Sequence, residues 1–132
     1  MIANGYNVLM DYLDRNHKAV LEFMVISSYR FDNFAFPIKT HHEFDLIALE
    51  KGKPYRVRII CTHCKNTQGN YVANLLKSGA HAKIPSKKKH FDPKDCDIVF
   101  VWTPDQKYII PTENIDQSKA ITLSMFESFI VS

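Results

Sequence analysis

A single acid interrupts an apolar segment near the middle of the chain. Asp45 lies within residues 44–49, where the other side chains are Phe, Leu, Ile, Ala and Leu. Burying a carboxylate among such residues is costly unless a cation or hydrogen-bond donors accompany it. A turn with Gly52 at a position that needs a positive φ follows, and residues 55–61 then alternate as a strand does. The pattern predicts a β-hairpin in which Asp45 is a candidate functional acid.

The alternation divides the second strand of this hairpin into two faces. One face carries Tyr55, Val57, Ile59 and Cys61, and the other carries Arg56, Arg58 and Ile60. Apolar residues at three- and four-residue spacing predict a helix over residues 17–30, with Glu22 on it. If this helix packs on the face of Arg58 and Ile60, Glu22 and Asp45 converge. Two carboxylates suit a hard cation such as Mg²⁺, which can activate water for phosphodiester hydrolysis.

The order of these pieces resembles the PD-(D/E)XK nucleases, and among them the small homing endonucleases encoded in bacterial group I introns. The resemblance lies in Glu22 on a helix, Pro37 before the hairpin, Asp45 within its apolar run, and the alternating strand that follows. Later apolar segments, which predict strands, resemble the closing strands of that family. The resemblance covers about residues 18–123.

This resemblance implies an α/β fold (α+β by stricter counting), in which a restriction-endonuclease-like mixed β-sheet is flanked by helices. Residues 1–132 are expected to form a single domain of this kind. The implied reaction is Mg²⁺-dependent hydrolysis of both strands of a specific double-stranded DNA site, with Glu22 and Asp45 as metal ligands. A chain this small covers a short DNA site, so recognition of a long target implies a homo-oligomer, either a dimer or a tetramer.

The chain departs from the family at two catalytic positions. Arg58 stands where the family has glutamine or an acid, and Ile60 stands where it has lysine. Isoleucine neither positions a water nor donates to a phosphate, so catalysis is expected to be impaired. Two roles for Arg58 stay open: it pairs with Glu22 and Asp45 without metal, or it faces the scissile phosphate and supplies the missing positive charge.

Two sets of polar residues are candidate DNA contacts. The segment over residues 77–95 is rich in lysines, which neutralise phosphates and make affinity depend on salt. Its candidate phosphate contacts are Lys83, Lys87, Lys88 and Lys89. The segment over residues 66–74 carries amides, which suit readout of base edges. These amides belong to Asn66, Gln68, Asn70 and Asn74.

Other apolar segments predict the remaining elements of the domain. A further helix is predicted over residues 4–16, and strands are predicted over residues 33–37, 71–76, 98–102, 108–110 and 120–123. The far side of the helix over residues 17–30 is also apolar. It is expected to pack either against the helix over residues 4–16 or against a second subunit.

Composition narrows the class of protein. The chain has 132 residues, 45% of them hydrophobic, and a net charge of +3, which favours a folded domain without extreme charge. Three cysteines and no secretory segment favour a reducing cytoplasmic location, and no apolar run is long enough to span a membrane. Three other functions stay open: a catalytically inactive DNA-binding relative, a Holliday-junction-resolvase-like nuclease, and a protein-interaction module with no nucleic-acid role.

Overall fold

The computed structural model describes residues 18–37, 44–75, 91–116 and 120–131. Helix α1 covers residues 18–26 of this described part. The strands are β1 (Asn33–Ala35), β2 (Leu46–Glu50), β3 (Lys53–Cys61), β4 (Val72–Asn74), β5 (Ile98–Trp102), β6 (Lys107–Pro111), β7 (Ala120–Thr122) and β8 (Ile130–Val131). Short 3₁₀ segments cover Pro93–Asp95, Thr112–Asn114 and Leu123–Phe129. The predicted helix over residues 4–16 lies outside the described residues.

Six of the strands form one mixed sheet in the order β1-β2-β3-β5-β6-β8. Strands β3 and β5 are parallel, with Val57 opposite Ile98, and the other neighbours are antiparallel. Strands β4 and β7 pair separately as a two-stranded antiparallel sheet. The α+β class and the mixed sheet predicted from the sequence are therefore confirmed.

Alternation along β3 gives it two buried faces. On one side, α1 packs on the sheet through Ala19 and Phe23, and we call this cluster the helix-side core. The other buried members of this core are Phe31, Leu46, Ala48, Val57, Ile59, Ile98 and Phe100. The rings of Phe23 and Phe100 lie 5.3 Å apart between centroids, so the contact between helix and sheet is direct. This core consists of apolar side chains, and its burial is a main source of stability.

On the other side of the sheet lies a second cluster, which we call the opposite core. Its buried members are Ile60, Ala73, Leu75, Phe91, Cys96, Val99, Val101, Tyr108, Ile110, Ile115, Ile121 and Leu123. The small β4–β7 sheet and the 3₁₀ segment Leu123–Phe129 supply part of this set, because they cover the face of the main sheet that α1 does not reach.

Helix α1 ends earlier than the sequence pattern predicted. Residues 27–30 form a turn, in which the amides of Arg30 and Phe31 donate to the carbonyl of Ser27. The hydroxyl of Ser28 donates to the carbonyl of Val25 at 2.8 Å. Serine side chains bind nearby backbone groups in this way and compete with continued helix. No helix in the described parts of the chain is both long and apolar enough to cross a bilayer.

Candidate functional site around Asp45 and Arg58

Asp45 directly precedes β2 and is held against β3 by two hydrogen bonds. Its backbone amide donates to the carbonyl of Val57 at 2.8 Å, and its carboxylate Oδ2 accepts from the amide of Ile59 at 2.7 Å. The side chain is half-buried. The carboxylate thus accepts a hydrogen bond from the backbone of β3. This hydrogen bond explains how an acid is tolerated in the apolar hairpin.

Arg58 is a buried cation at the centre of the sheet. Only 5% of its surface is exposed, and it lies on β3 opposite Val99 of β5. A guanidinium keeps its charge at this depth, so acids must compensate it. The structure therefore places a permanent positive charge beside the strand position where Asp45 is fixed.

The buried thiol of Cys96 is affected by the charges of both Asp45 and Arg58. The pKa of this thiol is raised to about 11, mainly by burial. The positive charges of Arg58 and Arg56 lower this pKa, whereas the negative charges of Asp97 and Asp45 raise it. Arg58 and Asp45 therefore both lie within electrostatic reach of the same buried sulfur. Because its thiol stays protonated at neutral pH, Cys96 is not a nucleophile here.

Ile60 lies in the opposite core and is 9% exposed. Its neighbours in that cluster are apolar, and the side chain fills space that a lysine ammonium would have to share with them. Position 60, where the resemblance of the sequence implies a lysine, is therefore a packed apolar position within the fold. No proton donor or water-positioning group comes from this residue.

Glu22 is paired with a residue of the main sheet. It forms an ion pair with Lys107 at the start of β6. The predicted convergence of the two acids depended on α1 packing on the face of Arg58 and Ile60, and this condition is not met. Helix α1 packs on the face of Val57 and Ile59, because the fully buried side of the helix carries Ala19 and Phe23.

The described donors at this position do not fit a divalent metal ion. Mg²⁺ needs several oxygen ligands, whereas Asp45 supplies one carboxylate, of which one oxygen already accepts from Ile59, and Arg58 adds a positive charge. Within the described ranges, no three His, Cys, Asp or Glu side chains are grouped so as to hold a metal ion. The Mg²⁺ site with Glu22 and Asp45 as ligands stays a prediction that this arrangement does not support.

Asp97 is an acid of this region that the sequence pattern did not single out. Its Oδ2 accepts from the backbone amide of Arg56 at 2.8 Å and from Arg56 Nε at 3.2 Å. Burial raises the pKa of Asp97, but the hydrogen bonds and charge of Arg56 and the charge of Lys53 outweigh it, so the pKa is lowered overall. An acid directly before a buried strand, with an arginine on a neighbouring strand, is the signal that could have found this pair.

The candidate DNA contacts divide into two groups. Lys83, Lys87, Lys88 and Lys89 lie outside the described residues. The amide residues are described, and their environments differ. Asn66 accepts two backbone hydrogen bonds, Gln68 is exposed, Asn70 is half-buried, and Asn74 lies at the end of β4 opposite Ala120 of β7. Asn66, Gln68 and Asn70 therefore lie in one loop, whereas Asn74 lies on a strand.

Comparison with known proteins gives a likeness of structure. No family model matches the sequence, and no curated protein matches it. Among solved structures, a match is found to the bacterial homing endonuclease I-Ssp6803I, with a TM-score of 0.58 and 15% sequence identity. The match covers 83% of this chain and 74% of that chain. At this identity the comparison establishes that the two chains share a fold.

Proposed function

We propose that this protein binds specific sites in double-stranded DNA as a homing-endonuclease-like member of the PD-(D/E)XK superfamily. We further propose that its Mg²⁺-dependent cleavage is weak or absent. The observation that carries the proposal is the match of 83% of the chain to the fold of a homing endonuclease. The group I intron origin implied by the sequence resemblance belongs to this proposal as well.

Charge supports a DNA partner. Residues 77–95 carry six lysines and two aspartates, a net charge of +4, whereas the whole chain has a net charge of +3. Lysines gathered in one segment release counterions when they neutralise phosphates, so such a segment supplies affinity that falls as salt rises. The predicted phosphate contacts Lys83 and Lys87 to Lys89 fall in this segment.

The impaired cleavage rests on the arrangement around Asp45. Arg58 is a buried cation at that position, Ile60 is packed in the opposite core, and Glu22 is paired with Lys107. A hydrolytic centre needs grouped oxygen ligands and a positive group exposed to the phosphate. The described residues supply one carboxylate and a buried guanidinium, which favours a binding protein over an efficient nuclease.

A symmetric homo-oligomer is part of the proposal. The outer side of α1 and the turn after it expose large apolar side chains at four-residue spacing: Leu21 at 48%, Val25 at 68% and Tyr29 at 79%. Contiguous exposed apolar side chains of this size are typical of contact surfaces. Two or more copies would let a small domain read a long, symmetric DNA site.

Binding to random-sequence duplex DNA, measured by fluorescence anisotropy over a series of salt concentrations, tests the DNA-binding proposal. We expect the logarithm of the association constant to fall linearly with the logarithm of salt concentration. Replacing Lys87, Lys88 and Lys89 with alanine should weaken binding and flatten that slope. The exposed Lys51 in the β2–β3 turn provides the control, because Lys51→Ala removes one charge outside the lysine-rich segment. Binding that is absent at low salt, or that does not change with salt, would overturn the proposal.

Incubation of the bound DNA with Mg²⁺ or Mn²⁺ tests the proposed loss of cleavage. We expect little or no cutting, and we expect calorimetric titration of Mn²⁺ to give no saturable binding that depends on Asp45. Efficient cutting that Asp45→Asn abolishes would instead establish the competing function, an active metal-dependent endonuclease. The hydrogen bond that fixes Asp45 beside Ile59 is the observation in favour of that function.

A further inference from the structure

We propose that residues 65–71 form a preformed DNA-reading hairpin, in which Gln68 contacts a base edge in the major groove and Asn66 is the positioning residue. This inference rests on the DNA-binding function proposed above. It separates residues that the sequence pattern could not distinguish, because all four amides in this segment have the chemistry of base readers.

The hairpin is closed by backbone contacts. Lys65 and Tyr71 form an isolated antiparallel bridge, and the amide of Asn66 donates to the carbonyl of Asn70 at 2.8 Å. The amide of Gly69 donates to the carbonyl of Asn66 at 3.0 Å, and Gly69 has a φ of 83°. Glycine is the residue that adopts such a φ without strain, so this turn is encoded in the sequence.

Asn66 holds the tip from inside the turn. Its side-chain Oδ1 accepts from the amide of Gln68 at 2.9 Å and from the amide of Asn70 at 3.0 Å. One oxygen therefore fixes the backbone on both sides of Gly69, and that oxygen is engaged before any ligand arrives. The neighbouring Gln68 is exposed at the tip.

The base of the hairpin is anchored to the main sheet. Thr62 donates from its hydroxyl to the carbonyl of Val72 at 2.7 Å and from its backbone amide to the carbonyl of Trp102 at 3.1 Å. The amide of Val72 donates in turn to the carbonyl of Cys64 at 2.9 Å. These contacts cross from the hairpin to β5, so the loop is braced by the sheet.

The side chain of Tyr71 connects the hairpin to the turn between β5 and β6. Its hydroxyl donates to Asp105 Oδ2 at 2.8 Å, in the turn between β5 and β6, and this hydrogen bond raises the pKa of Tyr71. The Nζ of Lys65 lies 4.7 Å from the centre of the Tyr71 ring. A loop that is ordered in advance loses little conformational entropy on binding, which is the property expected of a recognition element.

Size and charge favour duplex DNA as the occupant. The hairpin is a narrow two-stranded element closed by a turn at residues 66–69, and the major groove of B-DNA is about 12 Å wide. That groove admits a two-stranded β-ribbon, and glutamine can bind adenine N6 and N7 together. Lys65 is exposed at the start of the hairpin and His63 is exposed just before it, so phosphates are expected near these residues. Asp105 binds the Tyr71 hydroxyl, and Glu127 lines a pocket of about 220 Å³ together with residues 69–71.

The test begins with selection of bound sequences from a random duplex library by the native protein. We expect a preferred site, and we expect Gln68→Ala to lower the preference at one or two base pairs by about ten- to a hundredfold. The readout is the ratio of affinities for the selected site and for the same site changed at those base pairs. Asn33→Ala is the control, since Asn33 is an exposed amide on β1, an edge strand of the main sheet, and should leave that ratio unchanged.

Asn66 is tested by a pair of variants. Asn66→Ala should reduce the preference and speed the hydrogen exchange of the Gln68 and Asn70 amides, whereas Asn66→Asp keeps an oxygen acceptor and should restore slow exchange. A preference that Gln68→Ala leaves unchanged would overturn the inference while leaving the DNA-binding function intact. Salt-dependent binding with no preferred sequence would overturn the inference and the proposed sequence specificity, and would leave only general DNA binding. Absence of any DNA binding would overturn the proposed function, and this inference with it.

Discussion

The two faces of β3 are both buried, but they are stabilised in different ways. On the helix side, Phe23 packs on Phe100 within a cluster made of apolar side chains. On the opposite side, the core lies among buried polar groups: Arg58 is buried on that face, and Thr112 donates its hydroxyl to the carbonyl of Cys96 at 2.8 Å. The helix side therefore depends mainly on hydrophobic packing, and the opposite side depends also on hydrogen bonds and charge.

This difference explains what happened to the predicted catalytic residues. Glu22 lies on α1, which packs on the helix side of the sheet, and it pairs with Lys107. Arg58 and Ile60 lie on the opposite side. A helix covers one face of a sheet, so its acid joins only the residues of that face. Similarity in the order of sequence pieces can therefore accompany a shared fold without bringing the candidate residues together.

The largest expected effect is loss of packing on the helix side. Phe23 has no exposed surface and contacts the rings of Phe31, Phe34 and Phe100. Phe23→Ala should lower the free energy of unfolding by about 3–5 kcal/mol, measured by urea denaturation. The control Met125→Ala, at a residue that is 80% exposed, should change it by less than about 0.5 kcal/mol. Equal effects of the two variants would contradict the packing described for α1.

A charge placed in the opposite core should have the next largest effect. Ile60→Lys buries an ammonium among apolar side chains and should destabilise the protein by about 3 kcal/mol, without restoring cleavage. Ile60→Val, which keeps the apolar character, should cost about 1 kcal/mol. Urea denaturation and a DNA cleavage assay measure the two outcomes. A stable Ile60→Lys protein that cuts DNA would mean that this face is open to substrate.

A smaller effect is expected from one hydrogen bond of the opposite side. Thr112→Val removes the hydroxyl that binds the Cys96 carbonyl and leaves this buried acceptor without that donor. The midpoint of thermal unfolding should fall by an amount that corresponds to about 1–2 kcal/mol. Thr112→Ser retains the hydroxyl and should recover most of the loss. If Thr112→Ser is as unstable as Thr112→Val, the missing methyl group, and not the hydrogen bond, accounts for the effect.

The smallest effect concerns Asp97 and pH. Because its pKa is lowered in the folded protein from the usual value of 3.8, its contribution to stability is present above about pH 4 and is lost as pH falls through the folded pKa. The side chain is 40% exposed, so solvent screens the pair with Arg56 and the contribution should stay below about 1 kcal/mol. Denaturation of Asp97→Asn at several pH values should show a flatter acid limb than the native protein. Asp116→Asn, at an exposed position, should retain the native slope.

Much of the fold could be predicted from the sequence because its signals are local. Alternation gave the hairpin with Asp45 and β3, and short apolar runs gave β1, β4, β5, β6 and β7 close to their observed ranges. The end of α1 was missed, since the Ser27–Ser28 turn competes with the helix through local hydrogen bonds that periodicity does not report. The short β8 was also missed, because its pairing with β6 is a contact between distant segments.

The sequence by itself determined that β3 alternates, that Asp45 interrupts an apolar run and that position 60 carries an apolar side chain. Only the tertiary structure decided which face of β3 receives the helix, because Val57 and Ile59 on one side and Ile60 on the other are all suitable for burial. It also decided that Asp97 pairs with Arg56, 41 residues away along the chain. Such choices follow from how whole elements pack together, and no short stretch of residues contains that information.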